Sequence, residues 1–347
     1  MVIATIQLRG TAHRVRRTMP MVETVTGAID AEELGTTLIH EHLIFRDEAV
    51  LAEWPHAGTV KESEPPVTVD DDGAYQAAVE AASAAVERGV KTIGEPTAMF
   101  GGRDVRFSRR VAEETGLQVV PCTGIYTYDY LPPYFMFRDE DAMADLFVHD
   151  IEEGIQGTDI KAAFLKCAAD EPGVTPNVEK VHRAIARASV RTGAPIMAHS
   201  RPASETGPRQ VEVFEEEGVD LSKVQIAHTG DTDDLDYIER LLDKGVYIGM
   251  DRYGLEIFLP MEQRNLTVTA LLERGYADRM FLSQDFCATL DWYPPEVGKQ
   301  LMESGAAKDW SMTLVHDQVI PALSEAGMTD EQLQTMMVEN AKRWLTS

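Results

Sequence analysis

Cations are scarce in this chain. Against 58 Asp and Glu it carries 32 Lys and Arg, a formal net charge of −26 at pH 7. Nucleic acid is excluded as a partner on that ground, because its phosphates would be repelled. The acidity reads as a solvated surface. Long apolar runs are missing as well: none approaches 18 residues, so no membrane span and no membrane partner are expected. Cysteine is limited to Cys122, Cys167 and Cys287, widely spaced and without a CxxC pair. A sparse, odd count argues against a disulfide scaffold and for a reducing, cytoplasmic location. No GxGxxG follows the first candidate strand, which removes the main sign of an open dinucleotide-binding sheet. A secretory signal is lacking too, since "MVIATIQLRGTAHRVRRTMPM" puts its apolar piece before its four arginines. Residues 1–21 read as a disordered N-terminal extension, or as an upstream start with Met19 or Met21 as the working one. The "NLT" at Asn265 reads as a chance sequon.

What the chain does have is a rhythm. Short apolar or β-branched runs alternate with longer helical stretches. Eight runs qualify as strands: 37–40, 91–95, 118–124, 162–168, 195–200, 224–230, 246–251 and 280–285. The helical stretches between them repeatedly end in glycine, at Gly89, Gly116, Gly193, Gly218 and Gly245. Strands apolar on both faces imply a parallel sheet covered by helices. Eight such units predict a single α/β domain over 22–347, a (β/α)8 TIM barrel, with an open doubly wound sheet as the runner-up. The segment after Asp285, "FCATLDWYPPEVGKQLMESGAAKDW", reads as a long irregular insertion.

Polar residues interrupt these strands at matched places. "TLIHEHLIF" carries His40 and His42 at the end of strand 1. Lys166 lies in strand 4, His199 ends strand 5, His228 ends strand 6 and Asp285 ends strand 8. The C-terminal strand ends of a barrel converge on one mouth, so all six groups should meet there, forming a dinuclear metal centre. Side chains at i and i+2 share a face, which sends His40 and His42 inward and leaves Glu41 facing out. Neutral imidazoles suit divalent zinc, iron, cobalt or nickel. Lys166 is the odd member, because an ammonium would be repelled by two cations and disfavoured by burial. A neutral amine could instead take up carbon dioxide and bridge two metals as a carbamate. The alternative is a lysine paired with Asp170 or Glu171.

The pattern resembles the phosphotriesterase family of the amidohydrolase superfamily, and within it the phosphotriesterase-like lactonases. "GIYTYDYLPPYF", "DLFVHDIEEGIQGTDIKAAFLKCAADEPGVTP", "AHTGDTDDLDYI", "GMDRYGLEIFLP" and "SQDFCATLDW" carry the likeness, which runs from about Thr24 to Leu345. It implies two divalent metal ions, zinc foremost, with iron, cobalt or manganese as alternatives. Carboxylated Lys166 and a hydroxide would bridge them. His40, His42 and Asp285 would hold the more buried ion, and His199 and His228 the more exposed one. Asp285 would also move the reacting proton. By the same likeness Tyr126, with Tyr128 beside it, would hydrogen-bond the substrate, and Arg252 would mark the lactonase branch. Asp231 would be a proton-relay aspartate, while Cys287 and Trp292 would line an acyl-chain pocket. Gln284 stands where many relatives have His or Asn, and the 290s loop is individual to this chain, which bears on substrate preference.

The function implied is hydrolysis of lactones, N-acyl homoserine lactones or γ/δ-lactones (quorum quenching), with weak phosphotriesterase activity. A primary phosphotriesterase is the alternative. The likeness also implies a homodimer.

Overall fold

The computed structural model describes residues 20–47, 49–50 and 72–347. Residues 1–19 of the expected extension lie outside that range. Met21 lies inside it and is already paired, since Met21–Val22 form a short antiparallel ribbon with Ile29–Asp30.

Eight parallel strands follow in sequence order: β1 (Thr37–Leu38), β2 (Thr92–Glu95), β3 (Gln118–Gly124), β4 (Phe164–Ala168), β5 (Ile196–His199), β6 (Val224–Ala227), β7 (Tyr247–Met250) and β8 (Met280–Leu282). Each pairs in parallel with the next. Helices separate them: α1 (Asp72–Glu87), α2 (Val105–Thr115), α3 (Glu140–Glu152), α4 (Pro176–Thr192), α5 (Thr206–Glu216), α6 (Leu235–Leu242) and α7 (Met261–Glu273). The chain is a (β/α)8 TIM barrel, as the strand count implied.

Local chemistry explains the elements. Asp104 caps α2 by accepting the backbone N–H of Arg106 and Phe107, and Gly116 ends it at φ 75°. Thr175 and Pro176 start α4, and Gly193 ends it at φ 79°. Ala74, Ala78, Ala82 and Ala85 form the buried stripe of α1. Side chains this small let the helix lie close to the barrel. The strands β2, β4, β5, β6, β7 and β8 are buried at every position, as a sheet covered on both faces requires.

The seam between β8 and β1 closes differently from the other seven. It is made downstream of the paired strands, by two bridges, His42 with Cys287 and Phe45 with Leu290. The Asp285 N–H donates to the His40 carbonyl at 3.1 Å and the His42 N–H to the Phe286 carbonyl at 2.8 Å. Three of the six expected ligands therefore sit on the seam itself.

The segment after Asp285 differs from the irregular insertion expected. Pro295–Glu303 form a further helix, α8. Proline fits its first turn, and Val297 and Leu301 repeat at i and i+4, a pattern hidden in the sequence by Gly298 and the paired prolines.

Candidate metal centre

The six residues do come together. His40 Nε2 and His42 Nε2 approach Asp285 Oδ1 at 3.2 and 3.1 Å, and His228 Nε2 lies 3.8 Å from Asp285 Oδ2. Lys166 Nζ is 3.2 Å from His40 Nε2. The His199 ring lies edge-on to His228, with centroids 4.5 Å apart. His40, His42, Lys166, His199 and His228 are all buried.

Backbone geometry places them. The β4 register sets Lys166 beside Gly124 and Met197. A Cβ on Gly124 would overlap the Lys166 carbonyl oxygen, so only glycine lets β3 and β4 approach here. His228 and Asp285 have positive φ, 63° and 52°. Ile226 packs with the helices and Ala227 with the lumen. Strict alternation would thus turn His228 outward, and the left-handed residue turns it to the centre instead.

Each imidazole has a partner on its other nitrogen. Asp251 Oδ2 is 2.9 Å from His40 Nδ1, and its Oδ1 is 3.0 Å from His228 Nδ1 and accepts the His228 backbone N–H at 2.7 Å. His42 Nδ1 meets Thr97 Oγ1 at 2.7 Å, and that hydroxyl donates to Glu95. Asp170 Oδ2 lies 2.6 Å from His199 Nε2, leaving Nδ1 facing the Tyr126 hydroxyl at 3.1 Å. These orienting groups, Asp251, Thr97, Glu95 and Asp170, were not anticipated from sequence. Asp251 could have been, as the acid at the end of the "VYIGMD" strand. Neither proposed partner of Lys166 pairs with it: Asp170 binds His199, and Glu171 binds Arg201 at 3.2 Å.

Glu41 requires a correction. It does face away from the lumen, yet it is wholly buried rather than on an outer surface. Its backbone N–H still donates to the Gly94 carbonyl of β2 at 3.0 Å, while its side chain reaches across the seam to strand 8.

The Phosphotriesterase family description matches residues 20–345. The chain belongs to the phosphotriesterase family. An aryldialkylphosphatase of Saccharolobus solfataricus is 45% identical over 321 residues, covering 92% of this chain and 97% of that protein. A phosphotriesterase homology protein of Mycobacterium tuberculosis is 42% identical over 332 residues, covering 94% and 97%. The solved structure of the phosphotriesterase from M. tuberculosis superposes with a TM-score of 0.86 at 41% identity, over 94% of this chain and 98% of that one.

This phosphotriesterase-family hydrolase has a donor set that fits the family's dinuclear metal centre. His40, His42 and Asp285 offer donor atoms that all lie within 4.8 Å of one another. Burial holds the His40 and His199 imidazoles down at about 4 from an ordinary 6.5, and puts His228 well below it. All three rings are neutral at pH 7, the form that binds metal. Burial also lowers the Lys166 ammonium, with Asp285 and Asp251 opposing. A group of three formed by His40, His228 and Asp251 is explained by the Asp251 hydrogen bonds, which orient both rings.

Arg252 joins the centre to the wall. Its Nε donates to Asp285 Oδ2 at 2.9 Å and its Nη1 to Asp231 Oδ2 at 3.0 Å, while Arg264 grips Asp231 Oδ1 at 3.2 Å. The path from Asp285 to Asp231 therefore runs through a guanidinium, which stays protonated. Asp231 thus braces the arginine.

Above the centre lies a cavity of about 530 Å³. Tyr126, Tyr128, Arg252, Cys287 and Trp292 line it, together with Phe45. The Tyr126 and Tyr128 hydroxyls are 3.0 Å apart, and the Trp292 ring is 4.7 Å from Phe45 and 5.6 Å from Tyr126. Leu255, Ile257, Phe258, Leu301 and Met302 extend the apolar wall outward, the last two from α8. Gln284 takes no part: it is buried, donating to Glu41 and to the Met312 carbonyl.

Among the described residues no helix is long and apolar enough to cross a membrane.

Proposed function

We propose that this hydrolase is a metal-dependent lactonase. It would open N-acyl homoserine lactones or simpler γ- and δ-lactones, with quorum quenching as the setting and weak phosphotriesterase activity as a side reaction. One observation carries the reading: the imidazole, guanidinium and carboxylate groups lining the cavity, on the four histidines, Arg252 and Asp285, lie together in or beside the donor cluster, while the rest of its lining is mostly aromatic and aliphatic. A lactone divides the same way, with a polar ring to react and an apolar chain to bury.

His40, His42 and Asp285 would hold one divalent ion, His199 and His228 the other, and carboxylated Lys166 would bridge them, with zinc foremost. When bound, the pair supplies hydroxide near neutral pH and polarises the ester carbonyl. Tyr126 would donate its O–H to the oxyanion as charge develops there. Asp285 would accept the proton and return it to the departing alkoxide. Arg252 fixes the carboxylate that does so. The homodimer remains part of the proposal, and sedimentation of the purified chain at assay concentration would test it.

A second reading, a primary phosphotriesterase, is favoured by the name aryldialkylphosphatase on the S. solfataricus relative. The two separate by comparing kcat/KM for a long-chain N-acyl homoserine lactone and for paraoxon on one metal-loaded preparation. The lactone is expected to lead by about ten-fold or more, and the reverse order would assign the second reading. Tyr126→Phe should lower lactone turnover by about 100-fold at unchanged metal content. Unaltered turnover would reduce Tyr126 to a packing aromatic.

A further inference from the structure

Glu41 stands between two of the candidate ligands and is used by neither. Its carboxylate is fully buried and spans a short stretch of the opposite segment. Oε1 accepts the backbone N–H of Gln284 at 2.9 Å and the Gln284 side-chain amide at 3.2 Å. Oε2 accepts the backbone N–H of Phe286 at 3.1 Å. One side chain thus grips the backbone N–H groups of the two residues that flank Asp285.

Asp285 is a residue that needs gripping. Its φ of 52° is a region that L residues with a Cβ avoid. His228, the other candidate ligand with positive φ, shows the same device, because its N–H is held by the buried Asp251 at 2.7 Å. In both cases a buried carboxylate takes up backbone N–H groups at the strained turn. The position of Glu41 adds something Asp251 lacks. Its own backbone lies between His40 and His42, so the segment that carries two candidate ligands reaches across the seam to set the third.

We propose that Glu41 is the positioning residue for Asp285, locking the left-handed turn at the end of β8 onto the β1 segment and so fixing the donor set of the buried metal before any metal or substrate arrives. The inference rests on the metal reading given above. It also requires a carboxylate in particular. A glutamine would fill the same space with one acceptor oxygen, and its amide N–H would face the N–H of Phe286 or Gln284. An aspartate would keep both acceptors on a stem shorter by one methylene.

The test uses Glu41→Gln, Glu41→Asp and the parent chain, each loaded with cobalt(II). Three quantities are read: the rate at which a chelator strips the metal, the visible cobalt spectrum, and kcat and KM for paraoxon. Glu41→Gln is expected to lose its more tightly held metal about 10- to 100-fold faster than the parent. Its cobalt bands should shift, and kcat should fall while KM moves by less than about two-fold. Glu41→Asp should recover part of the retention. Metal retention, spectrum and kcat of Glu41→Gln all within about two-fold of the parent would overturn the proposal.

Hydrogen exchange on the parent, with or without metal, guards against a variant that does not fold. The Gln284 and Phe286 amides should exchange as slowly as those of His42 and Ala288, whose bonds cross the same seam to backbone carbonyls. Rapid exchange at both would overturn the clamp whatever the variants do. A parent that retains no cobalt would instead sink the metal reading, and the exchange experiment would still decide the clamp.

Discussion

At the N-terminal end of the strands the barrel is shut by rings. Trp344, on the last helix (Asn340–Leu345), is fully buried with its ring centroid 5.4 Å from Phe164 and 6.0 Å from Phe281. Tyr247 stacks on Phe281 at 5.1 Å, and the Trp344 indole donates to the Lys223 carbonyl at 2.9 Å. At the other end the same strands hold four imidazoles, an amine and a carboxylate within hydrogen-bonding range of their neighbours, with two residues in left-handed conformations. One end is closed by aromatic rings and buries apolar area. The other concentrates polar groups whose burial is unfavourable until each is paired. The contrast shows how a barrel separates stability from chemistry along the length of one strand: β4 starts at Phe164 in the floor and reaches Lys166 in the mouth two residues later.

Substitutions at the two ends should therefore fail in opposite ways. Lys166→Ala is the largest expected effect. It removes the proposed bridge, so metal content should drop below about one ion per chain and turnover fall by more than about 1,000-fold, with the fold retained. Metal analysis beside an activity assay reads both, and an active variant holding two metals would discard the bridging lysine. Trp344→Ala should do the converse. Emptying the floor should lower stability by about 3–5 kcal/mol in urea unfolding. Metal content and kcat of the protein that remains folded should not change. Were kcat lost in step with stability, the two ends would not be separable and the comparison would break.

Much of this was legible in the sequence, and the limits have physical reasons. The eight strands could be read because parallel strands are apolar on both faces, so "AAFLKCA" and "PIMAHS" stand out as short unbroken runs between helices. The six candidate ligands stood out because five of them fall at or just past the C-terminal ends of such runs and Lys166 breaks the middle of one. Asp251 was passed over because an acid that orients a histidine looks no different in sequence from one that ends a strand. Glu41 faces outward as alternation predicts, but its burial was not legible, because its carboxylate meets the backbone of a segment more than 240 residues away in sequence. Helix α8 was missed because Pro294, Pro295 and Gly298 are turn residues in most contexts, although proline also starts helices.

A histidine outside both regions sharpens the comparison with the smallest effect. His182 on α4 is fully buried, its Nδ1 bonded to the Val178 carbonyl at 2.7 Å and its Nε2 2.9 Å from the Gln210 amide, which also donates to the His199 carbonyl. Burial holds its imidazole down at about 4. Between pH 6.5 and 4 the unfolded chain then binds a proton at this site that the folded chain does not, so this residue lowers stability as the pH falls through that window and contributes nothing above it. Glu41 and Glu95, pushed up by burial, titrate with the opposite sign, so neither protein's own curve isolates the effect. The difference between parent and His182→Gln does. Relative to the variant, the parent should lose about 1.4 kcal/mol on going from pH 7.5 to 5.5 in urea unfolding. A pH-independent difference would mean that this ring titrates alike in the folded and the unfolded chain. Acid sensitivity would then belong to the mouth alone, and not to buried imidazoles wherever they lie.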